Sequence, residues 1–212
     1  MKKLLFIINP KAGVKKNKHF VDDALEIFER AGYKVGVKYT KKRADGTRIA
    51  RDYGAKADLI VCMGGDGTLN EVMQGMLEGE ISTPLGYIPA GSTNDFANSL
   101  GLRTNPKDQA EFIMETEAKS LDLGWFNGRY FVYTASAGIF TETSYSTPQE
   151  LKNRLGHFAY ILHGIREVFK IRRLKLRIET EDEVYENKYI FVAINNAKKV
   201  GGITRLDKAH VE

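Results

Sequence analysis

Two rhythms of apolar residues alternate along the first half of the chain. Leu4 to Ile8 and Leu59 to Met63 are unbroken apolar runs, the pattern of strands buried on both faces of a parallel sheet. Phe20, Ala24, Ile27 and Phe28 recur at helical spacing, and Gly32 follows as the residue that ends the helix. Val35 to Tyr39 predicts a second strand and Thr47 to Gly54 a short helix. Leu69, Val72, Met73 and Met76 predict a helix ending near Leu77, and Leu85 to Ile88 a fourth strand. Phe96 to Leu100 reads as a further short element. Asn105-Pro106 is an N-cap with proline at the first helical position, opening a helix to about Glu117. Strands alternating with helices predict an α/β fold, a doubly wound parallel sheet covered on both faces. Such sheets bind ligands outside the carboxyl ends of their strands. Here those ends carry Asn9–Gly13, Thr40, Gly64–Gly67 and Pro89–Asp95.

From about Ser120 the pattern changes. Leu121 to Phe126, Asn127-Gly128 and Tyr130 to Ala135 give a hairpin signal with a type I′ turn. Pro148 to Phe169 reads as one helix with the stripe Leu151, Leu155, Phe158, Leu162, Ile165 and Phe169. Leu174, Leu176 and Ile178 alternate with charged residues as in a half-buried strand, and Tyr189 to Ile194 reads as another strand. The sequence therefore predicts two domains, 1–119 of parallel α/β type and 120–212, an incomplete and mainly antiparallel β domain with one helix.

Composition narrows the function classes. The 212 residues include 32 basic and 27 acidic side chains, a net charge of +5. That balance suits an anionic ligand or an anionic membrane surface. Without a basic motif interleaved with stacking aromatics it predicts no nucleic-acid partner. The single cysteine, Cys62, lies inside the buried strand, which excludes a disulfide framework and fits a reducing, cytoplasmic setting. No apolar run approaches the roughly 18 residues of a membrane span. His157 and His163 stand six apart on one predicted helix, the wrong spacing for a shared metal.

The candidate chemistry centres on Gly64-Gly-Asp-Gly-Thr-Leu-Asn-Glu71, which follows the buried strand directly. Glycines let a backbone approach a ligand where a Cβ would block it. Thr68 and Glu71 have the spacing of a capping box, which predicts a helix starting at Thr68. The loop thus delivers bare N–H groups to a helix N-terminus, a setting that favours phosphate. It completes neither GxGxxG, because Asn70 stands at the third glycine, nor the GxxxxGK[ST] loop.

Four stretches in order resemble one family, the soluble diacylglycerol-kinase-type lipid kinases. They are Asn9-Pro10-Lys11-Ala12-Gly13, the octapeptide Gly64–Glu71, Pro89-Ala-Gly-Ser-Thr-Asn-Asp-Phe-Ala97, and Asp122-x-Gly124 with Tyr130-Phe131 and Ala135–Gly138. The Gly-Gly-Asp-Gly core is shared with NAD kinases and phosphofructokinases, whose fold the first domain is expected to have. The resemblance implies transfer of the γ-phosphoryl group of ATP, with Mg²⁺, to diacylglycerol or a related lipid alcohol, giving a phosphatidic-acid-type product. By the same resemblance the nucleotide would be held by Asn9, Pro10, Lys11, Ala12, Gly13, Thr40, Gly65, Asp66, Gly67, Thr68, Leu69, Asn70, Glu71 and Ser92. Asp66 would be the catalytic carboxylate, and Asp122 would be linked to the metal site. A lipid substrate at an anionic membrane surface is the implied partner, met peripherally, and Arg166, Lys170, Arg172, Arg173, Lys175 and Arg177 are a run of cations suited to it. Ser92, Gln74 and Asn98 stand where the family commonly has Thr, Asn and Arg. The chain stops at Glu212, just short of the family's Asp-Gly pair and of the segment with its presumed general base. It therefore reads as a fragment of a longer kinase, with unpaired strand edges at which two copies could associate. The competing expectations are an NAD-kinase-like enzyme and a nucleotide-binding module without catalysis.

Overall fold

The computed structural model describes residues 1–12, 19–126, 128–138, 173–179, 183–196, 199–200 and 204–205. These fall into two compact units. One holds the first 133 residues with the described residues from Asn195 onward, and the other lies within Thr134–Ile194.

The first unit is built on a four-stranded sheet in the order β2-β1-β3-β4, from β1 (Lys2–Ile8), β2 (Tyr33–Tyr39), β3 (Leu59–Gly64) and β4 (Leu85–Pro89). Every neighbouring pair is parallel. The continuous apolar runs are explained by two-sided burial. Leu4, Phe6, Ile8, Val61, Met63 and Ile88 face one core, and Leu5, Ile7, Ile60, Cys62 and Tyr87 face the other. Helices α1 (His19–Arg30) and α5 (Pro106–Glu115) cover the first face, where Phe6 and Phe28 meet edge to face at 5.4 Å. Helices α2 (Asp45–Tyr53), α3 (Asp66–Glu78) and α4 (Asp95–Leu100) cover the second. The doubly wound α/β architecture is thus present. Because β2 and β3 flank β1, the connections leave in opposite directions at the β1/β3 boundary, the place where such sheets form a binding crevice.

Some boundaries differ from the sequence reading for identifiable reasons. Helix α2 starts at Asp45, two residues early, and yields to a 3₁₀ turn at Gly54–Lys56. Helix α5 opens as expected, with the Asn105 side chain accepting from the Lys107 amide, but ends at Glu115. Helices α2 and α3 cross closely because Gly75 is bare: a Cβ there would lie 2.1 Å from the Thr47 carbonyl oxygen.

The expected hairpin is shorter than the apolar pattern suggested. β5 (Gly124–Phe126) pairs antiparallel with β6 (Arg129–Phe131), and Gly128 has the positive φ that its turn requires. In the second unit β7 (Thr134–Gly138) pairs with β10 (Phe191–Asn195), and β8 (Leu174–Glu179) runs antiparallel to β9 (Val184–Tyr189). The single strand expected over Tyr189–Ile194 is the end of β9 and most of β10, broken at Ile190. The short antiparallel pair β11 (Lys199–Val200) and β12 (Thr204–Arg205) completes the described strands. The helix expected at 148–169, and with it His157, His163, Arg166 and Lys170, lies outside the described residues, as do Gly13, Asn127 and Arg172. Among the described residues no helix is long and apolar enough to cross a membrane.

Candidate active site

Each strand of the parallel sheet hands its chain to the crevice with one further ladder bond. Asn9 donates from its amide to the Met63 carbonyl at 2.9 Å, Thr40 to that of Ile8 at 2.9 Å, and Ala90 to that of Gly64 at 2.8 Å. The loops therefore start in register, side by side on one rim. Asn9 then makes a turn, its Oδ1 accepting from the Lys11 amide at 3.0 Å and its carbonyl from Ala12 at 3.2 Å. The glycine loop touches its neighbour backbone to backbone: a Cβ on Gly91 would sit 2.7 Å from the Gly65 Cα.

Helix α3 begins at Asp66 with Gly65 as its N-cap, two residues before the start that the capping box predicts. That box does not form, because Thr68 and Glu71 are engaged elsewhere. The Thr68 hydroxyl, 6% exposed, accepts from Asn9 Nδ2 at 2.9 Å and so ties the β1 loop to the helix. The Glu71 carboxylate reaches to the start of α2, where Oε1 accepts from the Ala44 amide at 2.9 Å and Oε2 from the Gly46 amide at 3.1 Å. It caps its neighbour instead of its own helix. Asp66 does the same for α4. Its Oδ2 accepts from the Asp95 amide at 3.0 Å and its Oδ1 from the Phe96 amide at 3.1 Å. Further along α3, Asn70 Oδ1 accepts from the Val132 amide at 3.3 Å and Gln74 Oε1 from the Tyr130 amide at 3.0 Å, which fastens the β6 segment. Five polar side chains between Asp66 and Gln74 thus grip four neighbouring segments. Leu69, Val72 and Met73 instead pack in the core beneath.

This arrangement predicts the effect of Glu71→Ala. Two N–H groups at the start of α2 lose a charged acceptor, and each such bond is worth about 1.5–3 kcal/mol. With part of that loss recovered by water, stability is expected to fall by about 2 kcal/mol, lowering Tm by roughly 4–8 °C. Thermal unfolding by circular dichroism checks it, and an unchanged Tm would show the clamp to be idle.

The electrostatics concentrate around Asp66. Burial pushes its carboxyl above the ordinary carboxylate range, the two amides from Phe96 and Asp95 oppose the rise, and the nearby charge of Asp95 adds to it. Asp95 is itself 8% exposed, and its Oδ1 is the one buried side-chain oxygen among the described residues with no hydrogen-bond partner. At the next loop Asp45 accepts from the Lys41 and Lys42 amides at 2.8 and 3.2 Å, which holds its carboxyl below the usual range despite burial and fixes the Thr40 loop. Thr40 is buried, whereas Ser92 and Lys11 are exposed. A cavity of about 360 Å³ opens beside the rim between Phe20, Met63, Pro89, Gly91 and Pro106.

The structure therefore brings Asn9, Thr40, Gly65–Glu71 and Ser92 to one edge of one unit. Asp122 is exposed after α5, before β5, and its carbonyl accepts from Asn196 Nδ2 at 2.6 Å. Among the described residues no three His, Cys, Asp or Glu side chains gather to hold a metal ion. Sequence reasoning did not single out Asp95 as a site residue. Its signal was the Asn94-Asp95 pair just before a short helix, read only as part of a loop motif.

Comparison with known proteins shows the family. The profile of the diacylglycerol kinase catalytic domain matches residues 3–126. The diacylglycerol kinase of Bacillus subtilis (strain 168) is 34% identical over 208 residues, covering 97% of this chain and 69% of the relative. This chain belongs to the diacylglycerol kinase catalytic-domain family. The diacylglycerol kinase of Staphylococcus saprophyticus is likewise 34% identical, over 97% of this chain and 68% of its own length. A crystal structure of a diacylglycerol kinase from Bacillus anthracis (strain Sterne) superposes with a TM-score of 0.75 at 30% identity, covering 95% of this chain and 67% of that one. The chain spans about two thirds of the length of these family members.

Proposed function

We propose that the chain transfers the γ-phosphoryl group of ATP to diacylglycerol or a related lipid alcohol, giving a phosphatidic-acid-type product. The observation that carries this reading is the meeting, on one rim, of the glycine-lined N-terminus of α3 with two neighbouring carboxylates, Asp66 and Asp95, one of whose buried oxygens has no partner. An anion cradle beside paired acids makes electrostatic sense only when a cation sits between them, as in a metal–nucleotide complex. Asp66 and Asp95 fit Mg²⁺ as hard oxygen donors. Bound with the nucleotide, the ion would neutralise charge on the phosphate oxygens. The work of the protein is positioning. The exposed N–H groups of Gly65–Gly67 orient the phosphates, Asn9 and Thr40 border the nucleotide, Ser92 contributes a hydroxyl, and Asp66 is held in place by the α4 amides of Asp95 and Phe96. Residues 1–119 would be the nucleotide-binding domain and 120–212 the lipid-facing part. In the second unit Lys175 pairs with Glu186 at 3.8 Å and Arg177 pairs with Glu179, so their charges are partly neutralised. The lipid would be met at an anionic membrane surface.

The test is Mg²⁺-dependent transfer of labelled γ-phosphate from ATP to dioleoylglycerol in mixed micelles. Labelled phosphatidic acid is the expected product. No labelled lipid, together with ATP binding, would leave a nucleotide-binding module in its place. Gly67→Ala probes the cradle itself. An added Cβ meets nothing within 4 Å, so the fold tolerates it, and alanine is the better helix former by about 1 kcal/mol. Tm should hold or rise, while the methyl intrudes where phosphate would lie and weakens ATP binding by about 10-fold. Calorimetric titration of both proteins measures this, and equal affinities would remove the phosphates from Gly67.

A further inference from the structure

We infer that Tyr87 is a positioning residue that locks the Gly64–Gly65 peptide in the orientation the phosphate cradle needs. This inference rests on the nucleotide reading above for its purpose, but the lock itself is a property of the fold.

The argument starts from the peptide between two glycines. Neither residue has a Cβ, so rotation of that peptide plane meets little steric resistance. The plane is rigid and trans, so its C=O and its N–H point in opposite directions. Whichever way the Gly64 carbonyl faces, the Gly65 N–H faces the other. In the structure the carbonyl faces inward and is held by two donors, the Ala90 amide at 2.8 Å and the Tyr87 hydroxyl at 3.1 Å. The Gly65 N–H is thereby aimed at the crevice, and no described residue accepts from it.

Tyr87 is well built for a fixed hold. It stands on β4 two residues before the loop, is 6% exposed, and its ring is packed in the core with Cys62, Leu69, Val72, Phe96 and Ala97. From below, its carbonyl accepts from Gln109 Nε2 at 3.0 Å, and Gln109 is 2% exposed. A tyrosine fixed at both ends cannot follow the loop if it moves. Burial, followed by the charge of Asp66, pushes the phenol far above its ordinary value. The hydroxyl therefore stays protonated and stays a donor across the working pH range, so the lock does not loosen with pH. The Ala90 bond alone is a weaker restraint, since Ala90 belongs to the loop that would move with Gly64. Tyr87 is the donor anchored in the sheet. Pattern reading sees in it only an apolar position of a buried strand.

Tyr87→Phe keeps the ring and deletes the hydroxyl. Two measurements separate the lock from its purpose. The first is ¹⁵N relaxation dispersion at the Gly65 amide of the full chain without ligand. The wild type should show no exchange contribution, and Tyr87→Phe should show one as the peptide samples both orientations. A Gly65 amide that stays equally rigid in the variant overturns the inference, whether or not any nucleotide binds. The second is calorimetric titration with Mg²⁺ and either ATP, inorganic tripolyphosphate or adenosine. One neutral hydrogen bond corresponds to a loss of about 3- to 10-fold. That loss is expected for ATP and tripolyphosphate and not for adenosine. Equal losses for all three would mean a loosened core and would also overturn the positioning role. A wild-type chain that binds neither phosphate compound counts against the proposed function, and the relaxation result still decides the lock.

Discussion

Asp66→Ala is expected to abolish phosphoryl transfer, by about 10³-fold or more in kcat/KM, while the protein remains folded. The loss in rate follows from charge. A carboxylate that neutralises or orients the phosphate end of the site acts where the transition state is most charged, and such groups are worth several kcal/mol. The small effect on stability follows from two opposing terms. The α4 amides of Asp95 and Phe96 lose their acceptor, which costs about 2–3 kcal/mol at most for groups that water can partly reach. Against this, burial has raised the Asp66 pKa in the folded state. A carboxyl whose folded pKa lies above its unfolded value contributes stability fully only below the unfolded value, near 3.9, and loses it as pH rises through the folded one. At neutral pH its ionisation therefore weakens the fold, and alanine removes that burden. Asp66→Asn separates charge from shape: it keeps one acceptor for the amides yet should be as inactive as alanine. Steady-state assays in mixed micelles with parallel thermal melts measure all of this. Full activity in either variant would remove Asp66 from the chemistry.

Gly75→Ala should be among the most damaging single methyls in the described structure. A Cβ at that point would lie 2.1 Å from the Thr47 oxygen and 2.8 Å from the Thr47 carbonyl carbon, both backbone atoms that no rotamer change can clear. Helix α2 must shift as a body. When it does, the Ala44 and Gly46 amides leave Glu71. Overpacking of this kind costs about 3 kcal/mol or more, far beyond the gain of about 1 kcal/mol in helix propensity. Tm should fall by roughly 6–12 °C. Thermal unfolding beside Gly67→Ala makes the comparison internal, since both substitutions put the same methyl into the same helix. Equal melting temperatures would contradict the close crossing of α2 and α3.

The parts of the molecule that sequence made legible share a physical cause. Two-sided burial writes a continuous apolar run, so β1 and β3 were readable residue by residue, and alternation with helical stripes gave the sheet its parallel sense. The rim loops were readable because glycine and proline mark sharp changes of direction. What could not be read was the partner of each polar side chain. Thr68 and Glu71 satisfy a local rule three residues apart, yet both turn to groups that lie 25 to 59 residues away in sequence. A local pattern has no information about which neighbour the fold will bring within reach. Asp95 and Tyr87 were passed over for the same reason, one hidden in a loop motif and the other in an apolar strand.

The grip of α3 on its surroundings also bears on how the chain assembles. Its side-chain bonds to other elements join residues separated by 25 to 62 positions, so none of these can form until distant segments have already met. Contacts of that range are made late, after local helices, because each requires a long loop to be closed first. The sheet spans the same range, with Leu4 opposite Leu59 and Ile60 opposite Leu85, so scaffold and crevice take shape together. A nascent or heat-stressed chain would therefore gain or lose its site together with its scaffold, and nucleotide binding would fade on heating only as the fold itself melts.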